Sequence, residues 1–168
     1  MNSSLIVGAD FLPAQRLAEA LAQKADVVVL DDEIQFDFPS TVTKLLSKDV
    51  DTNINFPLDH YIVFFDVSDE EGSVARSIYV ENQLDYLTEL TYSALTSLTP
   101  GGKAIFVALN MYGSPHFEDC SRFFEILKNE PALNVDKFYV GSFQGLNWPG
   151  MQIRSLVEID TYLMSLIT

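Results

Sequence analysis

Two short stretches carry residue types that could do chemistry. In MYGSPH, Tyr112 stands four residues before His116. A phenol and an imidazole held together can pass a proton to and from a substrate. A tyrosine packed over a loop satisfies the same residues without chemistry. In VGADFLPAQRLAEAL, residues 7–21, an apolar strand runs into Gly8 and then a helix. A glycine at that junction lets backbone approach a phosphate at the helix N-terminus. A phosphate cradle normally needs several glycines, and here Leu12 and Ala14 stand where the next two would fall, with Pro13 between them. The turn is therefore either a cofactor site or its shell. His60, His116 and Cys120 are the only residues of their types, and no spacing among them suits a metal. Cys120 has no obvious His or base partner and reads as a packing residue of an amphipathic helix.

The elements that must position these residues alternate along the chain. Ser4–Ala9, Asp26–Leu30, His60–Asp66, Lys103–Leu109 and Asp136–Phe143 read as strands, several of them continuous apolar runs. Such runs suit a parallel sheet covered on both faces. Pro13–Lys24 reads as a helix with Pro13 in its first turn and Leu17, Ala18, Leu21 and Ala22 on its inner stripe. Pro39–Lys48 reads as a short helix. Val74–Leu98 reads as a long one with Leu84, Leu87, Leu90, Ala94 and Leu98 at helical spacing, stopped by Thr99–Gly102. His116–Asn129 and Ser155–Ile167 complete the set. The pattern predicts an α/β fold: a three-layer, doubly wound parallel sheet of about six strands with helices on both faces.

The 168 residues suit one unit over 1–168, and 48% hydrophobic residues supply its core. The net charge of −14 excludes nucleic acid and anionic membrane as partners, because both demand Lys/Arg clusters. No apolar run approaches the ~18 residues of a membrane span. MNSSLIVGAD lacks a basic residue before its apolar run, which argues against a signal peptide. A single cysteine suits the reducing cytoplasm.

The order of these segments resembles the short-chain dehydrogenase/reductase family over nearly the whole chain. LIVGADFLPAQRLAEALAQKADVVVLDD is similar to the family's first strand, glycine turn, helix and second strand. ENQLDYLTELTYSALTSLTPGGKAIFVAL is similar to its long helix and fifth strand, and DKFYVGSFQGLNWPGM to its sixth strand and Pro-Gly segment. The resemblance implies a Rossmann sheet, NAD or NADP, and a Ser, a Tyr and a Lys for chemistry. Residue by residue, the match thins. Gly8 is the one glycine kept of the turn, followed by Asp10. Ala14 is compatible with the packing role of the third glycine, but Leu12 would sit where phosphates go. Asp31, 23 residues after Gly8, would bond the ribose hydroxyls of NAD and repel the phosphate of NADP, although Asp32 beside it competes for the role. Asn82 matches the family's helix asparagine. The segment that should hold Asn-Asn-Ala-Gly reads VFFD, Val63–Asp66, with Phe64 and Phe65 as core or plugs. Where the serine belongs stand Ala108, Leu109 and Asn110, of which Asn110 could hydrogen-bond a carbonyl. The Tyr-x-x-x-Lys position reads Glu118 and Arg122, which are neither a phenol nor a titratable lysine. MYG resembles the Tyr-Gly of the family's epimerase branch, but His116 is a poorer partner than lysine for a phenolate. Trp148 would stand by the nicotinamide mouth.

The chain is short of the about 250 residues usual for this family, lacking a clear third strand with its helix and a substrate lid. The reading is a degenerate member without standard catalysis, a pseudoenzyme that binds NAD weakly or not at all. It would act as a binding or scaffolding module, as a homodimer or with a protein partner. The family's dimer helices correspond to LDYLTELTYSALTSL and FEDCSRFFEIL, whose apolar faces suit an interface or the domain core equally. The alternative is an NAD-dependent oxidoreductase with a rebuilt site of Asn110, Tyr112 and His116, served by Gly8, Asp10, Asp31 and Asn82 at the cofactor, for an unspecified small molecule. A flavodoxin-like flavin binder is a third option, without the Ser/Thr-rich phosphate loop such proteins use.

Overall fold

A computed structural model describes residues 3–8, 12–31, 34, 36–46, 51–66, 74–109, 117–129, 138–143 and 153–167, with side chains for all of these except 65–66, 74–84 and 153–156. Six strands form one sheet: β1 (Ser3–Val7), β2 (Asp26–Asp31), β3 (Val42–Leu46), β4 (Leu58–Asp66), β5 (Leu98–Leu109) and β6 (Phe138–Phe143). Among the described residues four helices connect or flank them: α1 (Leu12–Leu21), α2 (Val74–Thr96), α3 (Phe117–Asn129) and α4 (Ile153–Ile167). The strand order is β3-β2-β1-β4-β5-β6, and every neighbouring pair is parallel. This is the doubly wound Rossmann-like arrangement that the alternation of segments predicts.

The period of two along each strand assigns its residues to two cores. Leu5, Tyr61, Val63, Ala104 and Phe106 face α2 and α3, where Leu87, Leu90, Ala94, Cys120, Phe123, Phe124 and Leu127 close the layer. Phe106 sits at the centre of that layer, with the rings of Tyr61, Phe123, Phe124 and Phe138 around it at 5.0–6.0 Å. The alternate residues Ile6, Val27, Val29, Ile62, Ile105 and Val107 face α1 and α4, which contribute Ala14, Leu17, Ala18, Ile159 and Leu163. Apart from exposed Ile126, the described apolar residues of α2 and α3 therefore serve the core of the chain. Leu21 and Ala22 pack at the margin of the α1 layer, as their place on the stripe predicts.

Two expectations are corrected. Pro39–Lys48 is not a helix: Val42–Leu46 is a strand paired with β2 from Val27↔Val42 to Asp31↔Leu46. Val42, Leu45 and Leu46 are spaced as on a helix, but the free edge of β2 offers a full ladder of backbone partners, and this long-range pairing outweighs the local pattern. Exposed Thr43 and Lys44 suit an edge strand. The third strand thought missing is thus present. Thr99–Gly102 does not simply stop the long helix either. α2 ends at Thr96, and the next residues already belong to β5, whose register against β4 jumps between Leu58↔Leu98 and His60↔Lys103.

Residues 51–57, ahead of β4, are tied to the end of α2. The Ile54 amide donates to Ser93 Oγ at 2.6 Å, Ser97 Oγ donates to the Ile54 carbonyl at 3.0 Å, and Ile54 and Phe56 pack into the aromatic core. No described helix is long and apolar enough to cross a membrane.

Candidate functional site at the carboxyl end of the sheet

The strand order reverses beside β1, with β2 on one side and β4 on the other. In open α/β sheets the crevice outside the carboxyl ends of two such strands is where ligands bind. Gly8 lies there. Its φ is +82°, a left-handed conformation that favours glycine. Its amide donates to the Leu30 carbonyl of β2 at 2.9 Å. On the opposite side the Phe64 carbonyl of β4 is so near that a Cβ on residue 8 would stand 2.4 Å from its oxygen. The sheet alone therefore demands glycine at this position.

The helix that follows closes on the sheet through a small side chain. Ala14 is 0% exposed and belongs to the core against β1, β2 and β4. Pro13 is buried beside it and Leu12 is half-buried at the first position of α1. Side chains thus occupy the start of α1, and no glycine is found there.

Asp31 ends β2 one residue beyond Leu30, half-buried, and pairs in register with Leu46. Gly8 and Asp31 are accordingly brought to one edge, joined through the Leu30 carbonyl. Leu109 ends β5 beside Asp66 at that same edge. Asn82 falls within α2, but its side chain is outside the described residues. Asp10, Asp32, Asn110, Tyr112, His116 and Trp148 also lie outside them. Phe64 is buried and is core, one of the two roles VFFD left open.

Two of the described titratable groups, Cys120 and Tyr61, are fully buried. Cys120 is buried in the aromatic core; burial first, and Asp119 second, push its thiol up to about 12, so it is no nucleophile. The Tyr61 hydroxyl shares a buried 2.9 Å hydrogen bond with Thr91 Oγ1, and burial raises the phenol well above its ordinary value. Neither can exchange protons near neutral pH. Among the described residues no group of three His, Cys, Asp or Glu could hold a metal.

Sequence reasoning missed a polar row at the opposite, amino end. Ser4, His60 and Lys103 are neighbours across β1, β4 and β5. Ser4 Oγ lies 3.2 Å from His60 Nδ1, and Lys103 Nζ donates to the Leu166 carbonyl in the last turn of α4. Burial lowers the His60 pKa below 6.5, against a raising effect of Asp59 and with a smaller lowering effect of Lys103. Each of the three stands at the head of an apolar run, SLIV, HYIVFF and KAIFVAL, and that shared position was the available signal.

No protein-family model and no curated protein sequence matches the chain. Solved structures do. The protein lin1944 from Listeria innocua is 14% identical, with 99% of this chain and 94% of that one covered at a TM-score of 0.57. A UDP-N-acetylglucosamine 4-epimerase from Methanobrevibacter ruminantium, solved with UDP-N-acetylmuramic acid, is 16% identical over 98% of this chain and 50% of that one, at a TM-score of 0.50. A short-chain dehydrogenase/reductase from Veillonella parvula, solved with NADP, is 12% identical over 79% and 58%, at a TM-score of 0.36. At these identities the likeness is one of fold, and the fold shared with the epimerase is the Rossmann-like sheet derived above.

Proposed function

We propose that the chain is a degenerate short-chain dehydrogenase/reductase-like protein that serves as a binding or scaffolding module. It is a single Rossmann-like unit over residues 1–168 without the Ser-Tyr-Lys chemistry of the family. It works in the cytoplasm as a homodimer or with a protein partner. One observation carries the reading: Gly8, the remaining glycine of the turn, is required by its left-handed φ and by the Phe64 carbonyl, whether or not a phosphate ever binds. Leu12, Pro13 and Ala14 then take the positions where a cradle would offer bare backbone.

The test is calorimetric titration of the chain with NADH, NAD⁺ and NADPH. The expected result is no saturable heat with any of them. Saturable NADH binding in the micromolar range, about −8 kcal/mol, would overturn the reading.

A second reading follows from Asp31. It stands at the carboxyl edge next to the residue that holds Gly8, as an acid for ribose hydroxyls would. That placement favours an NAD-dependent oxidoreductase, NAD over NADP, with Gly8, Asp10, Asp31 and Asn82 at the cofactor and Asn110, Tyr112 and His116 at a carbonyl substrate. Under it, Tyr112→Phe abolishes NADH-dependent turnover of carbonyl compounds while NADH still binds.

A further inference from the structure

We propose that the outer face of α1 and α4 binds a second copy of this chain across a two-fold axis passing beside Thr161, with the two α4 helices antiparallel. The proposal names a surface for the binding-module reading and stands apart from the question of the nucleotide.

The large apolar side chains left exposed among the described residues are Ile126, Val157 and Met164, and two of them are on α4, at 54% and 43% exposure. With exposed Thr161 they form one stripe at spacings of four and three residues, the spacing of a helix–helix seam. The midpoint between Val157 and Met164 falls at Asp160 and Thr161. An antiparallel copy on that axis therefore sets Val157 against the partner's Met164 and Met164 against the partner's Val157. Thr161 on the axis is small enough for close approach. Beside the stripe runs a cleft between the helices, lined by Arg16, Leu17, Ala20, Asp160, Leu163 and Met164. The face thus carries both a projecting apolar ridge and a hollow, which an isologous contact needs.

Charge decides for a copy over a foreign partner. A chain of net charge −14 repels itself wherever its acidic surface meets its own. On the α2–α3 side the exposed charges among the described side chains are Asp85, Glu89, Glu118, Asp119 and Glu125 against Arg122 and Lys128. On the α1–α4 side Arg16 and Lys24 face Glu19, Glu158 and Asp160, and Asp160 is held by Arg16 at 2.7 Å. Counted over the described side chains, self-repulsion is weaker on the face that exposes two of the three apolar residues. A basic partner would prefer the other side. Fifteen residues of α4 run about 22 Å, so the footprint is a few hundred Å² per copy, roughly half that of a standard complex. The dimer is accordingly weak and concentration-dependent.

Sedimentation of the full chain from micromolar to millimolar concentration tests this, at low and high salt. The expected result is reversible dimerisation that strengthens with salt as like charges are screened. Met164→Glu should raise the dissociation constant by about tenfold or more, while Ile126→Glu on α3 leaves it unchanged; thermal melting verifies that both variants fold. Oxidised Thr161→Cys should give a disulfide-linked dimer, since the native Cys120 is buried. A monomer at every concentration and salt overturns the proposal. So does a dimer indifferent to Met164→Glu, a dimer lost on Ile126→Glu, or an oxidised Thr161→Cys that stays monomeric where the unmodified chain dimerises. Nucleotide binding by a dimer of this geometry would overturn the non-catalytic reading and leave the interface standing. A monomer that binds no nucleotide would do the reverse.

Discussion

At the carboxyl end of the sheet, where β1 and β4 part, the described chain offers Gly8, Pro13, Ala14 and Phe64, packed against one another's backbone and core. Toward the amino end the same strands carry Ser4 and His60 beside Lys103 of β5; Ser4 Oγ lies 3.2 Å from His60 Nδ1, and Lys103 Nζ donates to α4. In a sheet of this order the carboxyl end is where a ligand belongs. The comparison teaches that titratable residues on a Rossmann-like sheet are not a guide to its site by themselves. Here Lys103 of the polar row fastens a helix, while at the carboxyl end Gly8 is fixed by its φ and by the Phe64 carbonyl.

The largest effect falls at the carboxyl end. Gly8→Ala forces a left-handed φ on alanine and drives its Cβ to 2.4 Å from the Phe64 oxygen. Strain of about 1–3 kcal/mol and a comparable cost of separating packed strands should together remove about 2–6 kcal/mol of stability. Urea unfolding measures it. A loss below about 1 kcal/mol, within the ordinary range of surface substitutions, would mean that β1 and β4 are looser there, and the crevice would again be open to a phosphate.

At the amino end the effects are smaller because water can replace part of what is lost. Lys103→Met removes the ammonium from the Leu166 carbonyl, in the last turn of α4, where cations are favoured. The expected cost is about 1–2 kcal/mol. Hydrogen exchange should show it as faster amide exchange confined to the last turns of α4, with β1 and β4 unaffected. Equal acceleration across the sheet would show that the row carries the strands and not the helix, and the contrast between the two ends would fail.

How much of this was legible in the sequence follows from how local each feature is. Runs such as DVVVL and KAIFVAL announce strands, and the alternation with helices announces the doubly wound order, because each segment is fixed by its own composition. β3 was not legible. Val42, Leu45 and Leu46 carry a helical spacing, and only the vacant edge of β2, more than ten residues earlier, makes them a strand. Gly8 was legible as a tight turn, but its reason was not, since the oxygen that forbids a side chain belongs to Phe64. The polar row needed the registers Ser4↔His60 and His60↔Lys103, which join residues far apart in the chain.

The finest separation of the two ends is their response to acid. Burial holds the His60 pKa below 6.5; Asp59 works against this, Lys103 works with it, and Ser4 Oγ touches the ring. The unfolded chain takes up a proton near pH 6.5 that the folded chain refuses, so His60 contributes its full stability above that pH. The contribution is lost as pH falls through 6.5 toward the lower folded value, and is level beyond it. Asp160, whose pKa burial raises against the pull of Arg16, works in the opposite sense, and it is present in both proteins compared. The midpoint of thermal unfolding should therefore fall between pH 7.5 and 5.5 by more in the unmodified chain than in His60→Gln, with neutral Gln keeping a hydrogen-bonding group near Ser4. Parallel curves for the two proteins would place the acid sensitivity outside the Ser4–His60–Lys103 row.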